Sequence, residues 1–95
     1  MSGRIPKQLL FTLRNHIYLE FLIRDILKLE WKFSENYFRY LCPVCTEFRT
    51  AINYKHNLAR CFLCQRNFNS IDLVMIVIDL DFREAVNFLS RFLPD

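Results

Sequence analysis

Two Cys-x-x-Cys pairs constrain the fold of this chain more than any other feature of its sequence. Fifteen residues separate the pairs, and the chain has no cysteine outside them. Each pair can present two thiolates to one ion at a tight turn, and the segment between them is long enough to fold back as a hairpin. We therefore predict one structural zinc ion in a tetrahedral site, held by Cys42, Cys45, Cys61 and Cys64.

The same cysteines could instead form two disulfides, or remain as four buried thiols that act as small apolar side chains. Disulfides persist in oxidising compartments. Residues 1–10 lack the charged, then apolar, then small-residue pattern of a secretory signal peptide. The spacing and this N-terminus together favour zinc and a cytoplasmic location.

The size and composition of the chain bound the fold further. Its 95 residues suit a single domain, 1–95, whose limited core a structural metal would supplement. Hydrophobic residues make up 53%, which is more apolar surface than so small a domain hides easily, so we expect part of it to contact a protein partner. The longest apolar run, residues 73–78, is far too short to cross a membrane.

Positive charge is densest in the cysteine-bearing middle of the chain. Residues 42–70 carry four basic side chains against one acidic side chain, whereas residues 71–95 carry two against five. Such a basic segment can attract phosphate, although four charges could equally be solvated positions of a hairpin.

Hydrophobic periodicity predicts helices at both ends of the chain. A first helix is expected from residue 6 to about 15, because Pro6 suits a first helical turn. A second is expected over about 17–29, where the apolar zone is wide enough for burial on more than one side. Beyond Ser70, we predict a helix over 71–79 and a last helix opened by a capping box of Asp81 and Glu84.

The region between these helices has the pattern of β-strands. Residues 37–41 are largely aromatic and apolar, and residues 48–54 alternate with period two. A turn at 55–57 would return the chain along 58–62 and bring Cys61 beside Cys42. The predicted fold class is therefore α+β. A small zinc ribbon with a short antiparallel sheet at 34–70 is flanked by N-terminal helices within 5–30 and C-terminal helices within 71–93.

Four short motifs occur in an order and spacing that chance does not readily produce. They are Ser34-Glu35-Asn36-Tyr37 leading into Leu41-Cys42-Pro43, then Cys61-Phe62-x-Cys64, then Ile71-Asp72-Leu73-Val74-Met75, and last Phe82-Arg83-Glu84-Ala85-Val86. In these motifs, residues 5–92 resemble the zinc-binding domain of bacterial and phage DNA primases, the CHC2 zinc finger. The resemblance implies the same fold and a non-catalytic role in primer synthesis.

The chain departs from that family at three places. Cys45 stands where the family commonly has a histidine ligand, which gives a four-cysteine site. Leu63 and Gln65 replace glycines around the second pair, so turns there must form without the residue that most easily adopts positive φ. The segment between the pairs lacks the threonine-proline-serine-phenylalanine element of the family, which bears on the DNA-contact surface more than on the fold.

The resemblance implies that the ribbon binds a single-stranded DNA template. The predicted contacts are phosphate contacts from Arg39, Arg49, Lys55, Arg60 and Arg66, and base stacking on Tyr37, Tyr40 and Tyr54. Aromatic residues of a ribbon can equally cover the core of their own sheet. A different interpretation is an interaction adaptor, in which the apolar helical surface at 17–29 docks on a polymerase, a helicase or a sister subunit.

No catalytic activity is predicted for the chain itself. In a primase, catalysis lies in a separate polymerase domain with clustered carboxylates, for which 95 residues leave no room. We attribute Asp72, Asp79, Asp81 and Glu84 to helix starts, where side-chain caps and the helix dipole favour acids. Four thiolates would also leave zinc no open position for water or substrate.

Overall fold

The computed structural model describes residues 4–93. Helical elements lie at both ends of the chain, and five short strands lie between them. In chain order the elements are α1 (Lys7–His16), α2 (Leu19–Phe21) continuing as a π-helical turn (Leu22–Ile26), β1 (Trp31–Ser34), β2 (Tyr37–Tyr40), β3 (Thr50–Asn53), β4 (Leu58–Cys61), β5 (Arg66–Phe68), α3 (Ser70–Val77) and α4 (Phe82–Ser90). This arrangement confirms the predicted α+β class, with helices flanking a small ribbon.

The strands form two antiparallel sheets, β1-β2 and β3-β4-β5. Glu35 and Asn36 turn the first hairpin with φ of 56° and 66°, the pair of positive values that a tight two-residue hairpin turn requires. Thr50 joins the two sheets. Its buried hydroxyl donates to the carbonyl of Tyr40 at 2.6 Å and accepts from the Tyr40 amide at 2.9 Å. A side chain therefore replaces the strand-to-strand ladder at this junction.

Helix α1 packs against α3 and α4 and closes the core on the helical side. Leu13 of α1, Leu73 of α3 and Leu89 of α4 are fully buried there. The Ser70 hydroxyl, at the start of α3, donates to the carbonyl of Leu13 at 2.7 Å and fixes the position of one helix on the other.

A single side chain fastens the tip of the β3-β4 hairpin to the N-terminal helices. The side-chain nitrogen Nδ2 of Asn57 donates to the backbone carbonyls of Arg14 and Ile17, both at 2.8 Å. The side-chain oxygen Oδ1 accepts from the backbone amide of Leu19 at 3.3 Å. These are backbone groups at the end of α1 and the start of α2, which have no partner inside a helix. The ribbon thus caps the junction between the two helices.

The predicted second helix is wrong beyond residue 26. The Leu27 amide donates to the carbonyl of Leu22, five residues back, and Lys28 leaves the helix with φ of 54°. The chain then forms β1, a strand that we did not predict, and Trp31 and Phe33 alternate with Lys32 along it. Strand β5 was also missed, because three residues are too few to show a period.

Both C-terminal helices begin with a capping box, in which two side chains satisfy two otherwise unpaired backbone amides. The box of Asp81 and Glu84 at α4 is confirmed. Asn69 and Asp72 form a second box at α3, which the sequence analysis missed. Asp79 lies between the two helices with φ of 60°.

Across residues 4–93, no helix combines the length and the apolar character needed to cross a membrane.

Candidate metal centre and nucleic-acid surface

The four cysteine sulfur atoms converge on one point at the end of the ribbon. All four lie within 4.8 Å of one another. The Sγ atoms of Cys42 and Cys64 are 3.9 Å apart, and those of Cys45 and Cys61 are 3.6 Å apart. Tetrahedral zinc with Zn–S bonds of about 2.3 Å requires S–S separations of about 3.8 Å. The cluster therefore has the size and the chemistry of a single four-thiolate zinc site.

Two similar turns present the cysteines. In the first, which follows β2, the Cys42 amide donates to the carbonyl of Glu47 at 3.0 Å and the Val44 amide donates to the Cys42 sulfur at 3.4 Å. In the second, which follows β4, the Cys64 amide donates to the Cys61 sulfur at 3.4 Å. Amide hydrogen bonds to sulfur favour the thiolate, which is the form that binds a metal.

One half of the cluster is buried and the other half faces the surface. Cys42 and Cys61 are buried in the core, whereas Cys45 and Cys64 are half-buried. Desolvation raises the pKa of Cys64 to about 12 and also raises the pKa of Cys45. Desolvation acts in the same direction on Cys61, but hydrogen bonds from the Cys64 backbone and the neighbouring thiols bring its pKa below the ordinary value. Zinc must therefore displace protons from Cys45 and Cys64 when it binds.

Each turn ends on a residue in the left-handed backbone region. Thr46 has φ of 57° and Gln65 has φ of 56°, one position after the second cysteine of each pair. Of the two positions where glycine is replaced in the second turn, only Gln65 takes positive φ, and Leu63 does not. Side chains with a Cβ are strained in this region, by about 1–2 kcal/mol in regular left-handed structure.

We expect Gln65→Gly to raise the free energy of unfolding of the zinc-loaded protein by up to about 1 kcal/mol. Glycine relieves the Cβ clash, although its greater freedom in the unfolded chain offsets part of the gain. Thermal unfolding at a fixed excess of zinc measures the change. Leu63→Gly is the matched control, because it adds the same freedom at a position without positive φ, and it should lower stability. Equal effects of the two changes would contradict the assignment of strain to Gln65.

Beside the metal centre, three adjoining depressions of about 570, 330 and 290 Å³ run across the outward face of the ribbon. We call them together the basic groove. Phe62, in the second cysteine turn, lines all three. The charged and aromatic side chains that line the groove are Lys32, Arg39, Arg49, Arg60, Glu35, Glu47, Tyr37, Phe48 and Phe62.

Cations of the groove lie over its aromatic rings. Lys32 Nζ lies 4.6 Å from the centre of the Phe48 ring. The guanidinium carbons of Arg39 and Arg60 lie 5.5 Å and 5.9 Å from the rings of Tyr37 and Phe62. The groove therefore alternates positive charge with flat apolar surface along its length.

A protein-family model, the CHC2 zinc finger, matches residues 5–94 of the chain. The chain is a CHC2 zinc finger. This family forms the zinc ribbon of DnaG-type primases, and the predicted resemblance is confirmed. Comparisons with curated proteins and with solved structures found no match. Family and sulfur cluster together confirm the prediction of one zinc ion, and in this CHC2 zinc finger the candidate ligands are four cysteines.

The eight side chains predicted to contact DNA fall into three groups. Arg39, Arg49, Arg60 and Tyr37 line the basic groove.

A second group lies outside the groove. Tyr54 and Lys55 are at the tip of the β3-β4 hairpin, where the Tyr54 hydroxyl donates to Glu20 Oε1 at 2.8 Å. Arg66 lies on β5, with its guanidinium carbon 5.0 Å from the centre of the Phe68 ring. These side chains do not line any of the three depressions.

Tyr40 forms the third group by itself, because it is 0% exposed. A ring enclosed in the core is not accessible to a nucleic-acid base, so we leave Tyr40 out of the proposed interface. Burial, and after it the charges of Cys42, Cys61, Cys45 and Cys64, raises the pKa of its hydroxyl. In sequence, Tyr40 lies two residues before Cys42.

Sequence reasoning missed three residues of the groove: Lys32, Phe48 and Phe62. Lys32 follows the predicted second helix of residues 17–29, in a stretch for which we predicted no element. The pattern of alternating aromatic and basic residues in β1 was the signal that could have placed it on a strand. Phe48 and Phe62 carried no such signal, since only the folded hairpin brings the second cysteine turn beside residues 47–49.

Proposed function

We propose that this CHC2 zinc finger binds single-stranded DNA along the basic groove, as the template-binding module of primer synthesis. The observation that carries the proposal is the groove itself, in which cations and exposed rings alternate beside the metal centre. Single-stranded nucleic acids bind to surfaces of this kind, because the backbone follows positive charge while bases stack on aromatic rings.

The exposed aromatic rings support base stacking. Phe62 and Tyr37 are both more than half exposed. A base stacked on such a ring contributes about 1–3 kcal/mol to binding, with little dependence on sequence. Phe62 adjoins all three depressions, so we assign it the central platform.

Arg49 and Arg60 are the proposed phosphate contacts. Within residues 4–93, the Arg49 side chain makes no hydrogen bond or ion pair, and it is exposed at the largest of the three depressions. Arg60 makes one long contact, 3.5 Å from its Nη1 to Asn67 Oδ1. Neither guanidinium must give up a strong partner in order to contact a phosphate.

Arg39 plays a different part, because it is already engaged. It donates to the Thr50 carbonyl at 2.7 Å and to Glu35 Oε1 at 3.3 Å. The Glu35 side chain is 80% exposed and the Arg39 side chain 18%, so this is a surface ion pair, typically a contribution of about 0.2–1 kcal/mol. A phosphate can replace the Glu35 carboxylate at little cost while the bond to Thr50 holds Arg39 in place.

An adaptor role remains the second candidate, and we place its surface on β1. The predicted apolar face of residues 17–29 is divided, because Leu19, Leu22 and Ile23 are buried while Tyr18 and Phe21 stay exposed. Trp31 and Phe33 of β1 leave 41% and 64% of their surface exposed, side by side on one strand. Their rings meet edge to face at 5.7 Å and form an apolar surface on the side of the β1-β2 hairpin opposite to Lys32. A protein partner would dock there.

The test is the salt dependence of single-strand binding by the zinc-loaded chain. The logarithm of affinity should fall with the logarithm of salt concentration at a slope of about −0.7 for each phosphate contact. Replacing Arg49 and Arg60 together by alanine should reduce the magnitude of the slope by about 1.4 and weaken all sequences alike. Fluorescence anisotropy with labelled oligonucleotides at several salt concentrations measures both quantities.

Lys55→Ala combined with Arg66→Ala is the matched control, because it removes the same charge outside the groove. This variant should retain most of the affinity and the slope. Equal losses of affinity in both double variants would show that the protein attracts DNA through its overall positive charge and not through contacts in the basic groove. Undetectable binding at about 50 mM salt would reject the DNA role. If Trp31→Ala with Phe33→Ala then abolished a complex with a replication protein, the adaptor role would stand.

A further inference from the structure

The largest depression of the basic groove contains a carboxylate that attraction of phosphate does not explain. It belongs to Glu47, whose side chain is exposed and lines the depression. Three cationic side chains line the same depression: Lys32, Arg39 and Arg49. In the part of the chain that the structure describes, the Glu47 side chain nevertheless makes no hydrogen bond or ion pair. The other carboxylate of the depression, Glu35, is paired with Arg39 at 3.3 Å.

A free carboxylate opposes the binding of a DNA strand through its backbone, because it repels phosphate. The groups of a DNA strand that a carboxylate attracts are the N–H donors of its bases. Glu47 is therefore better suited to contact a base than a phosphate.

The surroundings of Glu47 form a pocket that can hold one base. The Glu47 carbonyl accepts from the Cys42 amide at 3.0 Å, so the first cysteine turn fixes the backbone that carries the carboxylate. Phe48 and Phe62 line the same depression, and a base can stack on such rings. The volume of about 570 Å³ lies within the range of about 300–1,000 Å³ that is usual for small-molecule sites.

We propose that Glu47 selects unpaired guanine, an inference that rests on the proposed binding of single strands in the groove. Guanine carries two adjacent donors on its Watson–Crick edge, N1–H and N2–H, and the two oxygens of a carboxylate can accept both. Adenine and cytosine offer one amino group beside a ring nitrogen that is an acceptor, and thymine has carbonyl oxygens on both sides of its single N–H. Those acceptors repel a carboxylate. In a duplex, cytosine occupies both guanine donors, so the contact requires an unpaired base.

The test compares labelled oligothymidylates of equal length that differ at one central position. Their affinity for the zinc-loaded chain is measured by fluorescence anisotropy. One deoxyguanosine should make the strand bind about tenfold more tightly, as a good bidentate contact to a base does. Deoxyinosine, which lacks the N2 amine, should lose most of this gain. A 7-deazaguanine base keeps both donors and should retain it.

Glu47→Gln is the decisive variant, because it keeps the size of the side chain and replaces one of the two acceptors by a donor. It should abolish the preference for guanine. It should also bind plain oligothymidylate at least as tightly as the parent protein does, because a repulsive charge is lost. Glu35→Gln is the matched control, since it removes the same charge from the same depression and should keep the preference.

Equal affinity for all the strands would overturn the role of Glu47 and leave the groove as a non-selective site for DNA. A preference that 7-deazaguanine loses and inosine keeps would also overturn it, because the base would then be bound at O6 and N7 by an arginine. Free dGMP that bound as tightly as the guanine-containing strand would show a nucleotide site instead. If no strand bound at all, the proposed function would fail and this inference with it.

Discussion

Removal of zinc from this CHC2 zinc finger is expected to unfold the ribbon while part of the helical structure remains. The strands are only three or four residues long, and Cys42 and Cys61 belong to the same buried core as the strand residues. Without the metal, these elements keep few contacts that could hold them together. Zinc binding to a ribbon of this kind supplies on the order of 10 kcal/mol, which becomes folding free energy because the unfolded chain has no preformed site.

Circular dichroism and elemental analysis during titration with a chelator measure this effect. Cys45→Ser should reproduce it, because three thiolates and a hydroxyl bind zinc far less tightly. The residual helix should come from α1, α3 and α4, which pack on one another through Leu13, Leu73 and Leu89. Returning zinc should restore the parent ribbon, whereas returning magnesium, which prefers oxygen ligands, should not. A metal-free preparation with an intact ribbon would contradict the prediction.

Replacing Asn57 by alanine is expected to cost about 3 kcal/mol of unfolding free energy, although the residue is far from the metal. Its side chain makes three hydrogen bonds to the backbone at the junction of α1 and α2. Groups left unpaired in a buried site cost about 1–3 kcal/mol, less where water can reach them. Asn57 also has φ of 51°, a value that asparagine tolerates better than alanine.

Asn57→Gly separates the two causes. Glycine accepts positive φ freely but makes none of the side-chain bonds, so it should lose about 1 kcal/mol less than alanine. Urea unfolding of the zinc-loaded variants gives both values. If the Asn57→Gly variant had the same unfolding free energy as the parent protein, the loss in Asn57→Ala would come from the backbone conformation alone. The side-chain bridge from the ribbon to the helices would then contribute nothing to stability.

The features that sequence predicted correctly depend on residues close together in the chain. The four-cysteine cluster follows from the spacing within two short turns, and the β3-β4 hairpin follows from alternation on either side of a turn. The capping box of Asp81 and Glu84 closes over three residues. In each case, local geometry restricts the chain before any distant contact forms.

The predictions that failed concern features that depend on which other elements pack against a given helix or strand. The second helix ends early, and residues 31–34 form a strand whose partner, β2, only the folded hairpin supplies. Tyr40 and Tyr37 look alike in sequence, yet one is in the core and the other in the groove. Alternation along a strand separates two faces, but it does not say which face the helices will cover.

The sequence by itself determined the metal, its candidate ligands, the family and the order of most elements, because short motifs and their order along the chain encode each of these. Tertiary structure decided the functional surface. The basic groove unites Lys32, Arg49 and Arg60 only after the two hairpins pack side by side. Asn57 reaches Arg14 across 43 positions of sequence, and Ser70 reaches Leu13 across 57. Contacts at such separations depend on how whole helices and strands pack together. The periodicity of side chains along one element does not specify that packing.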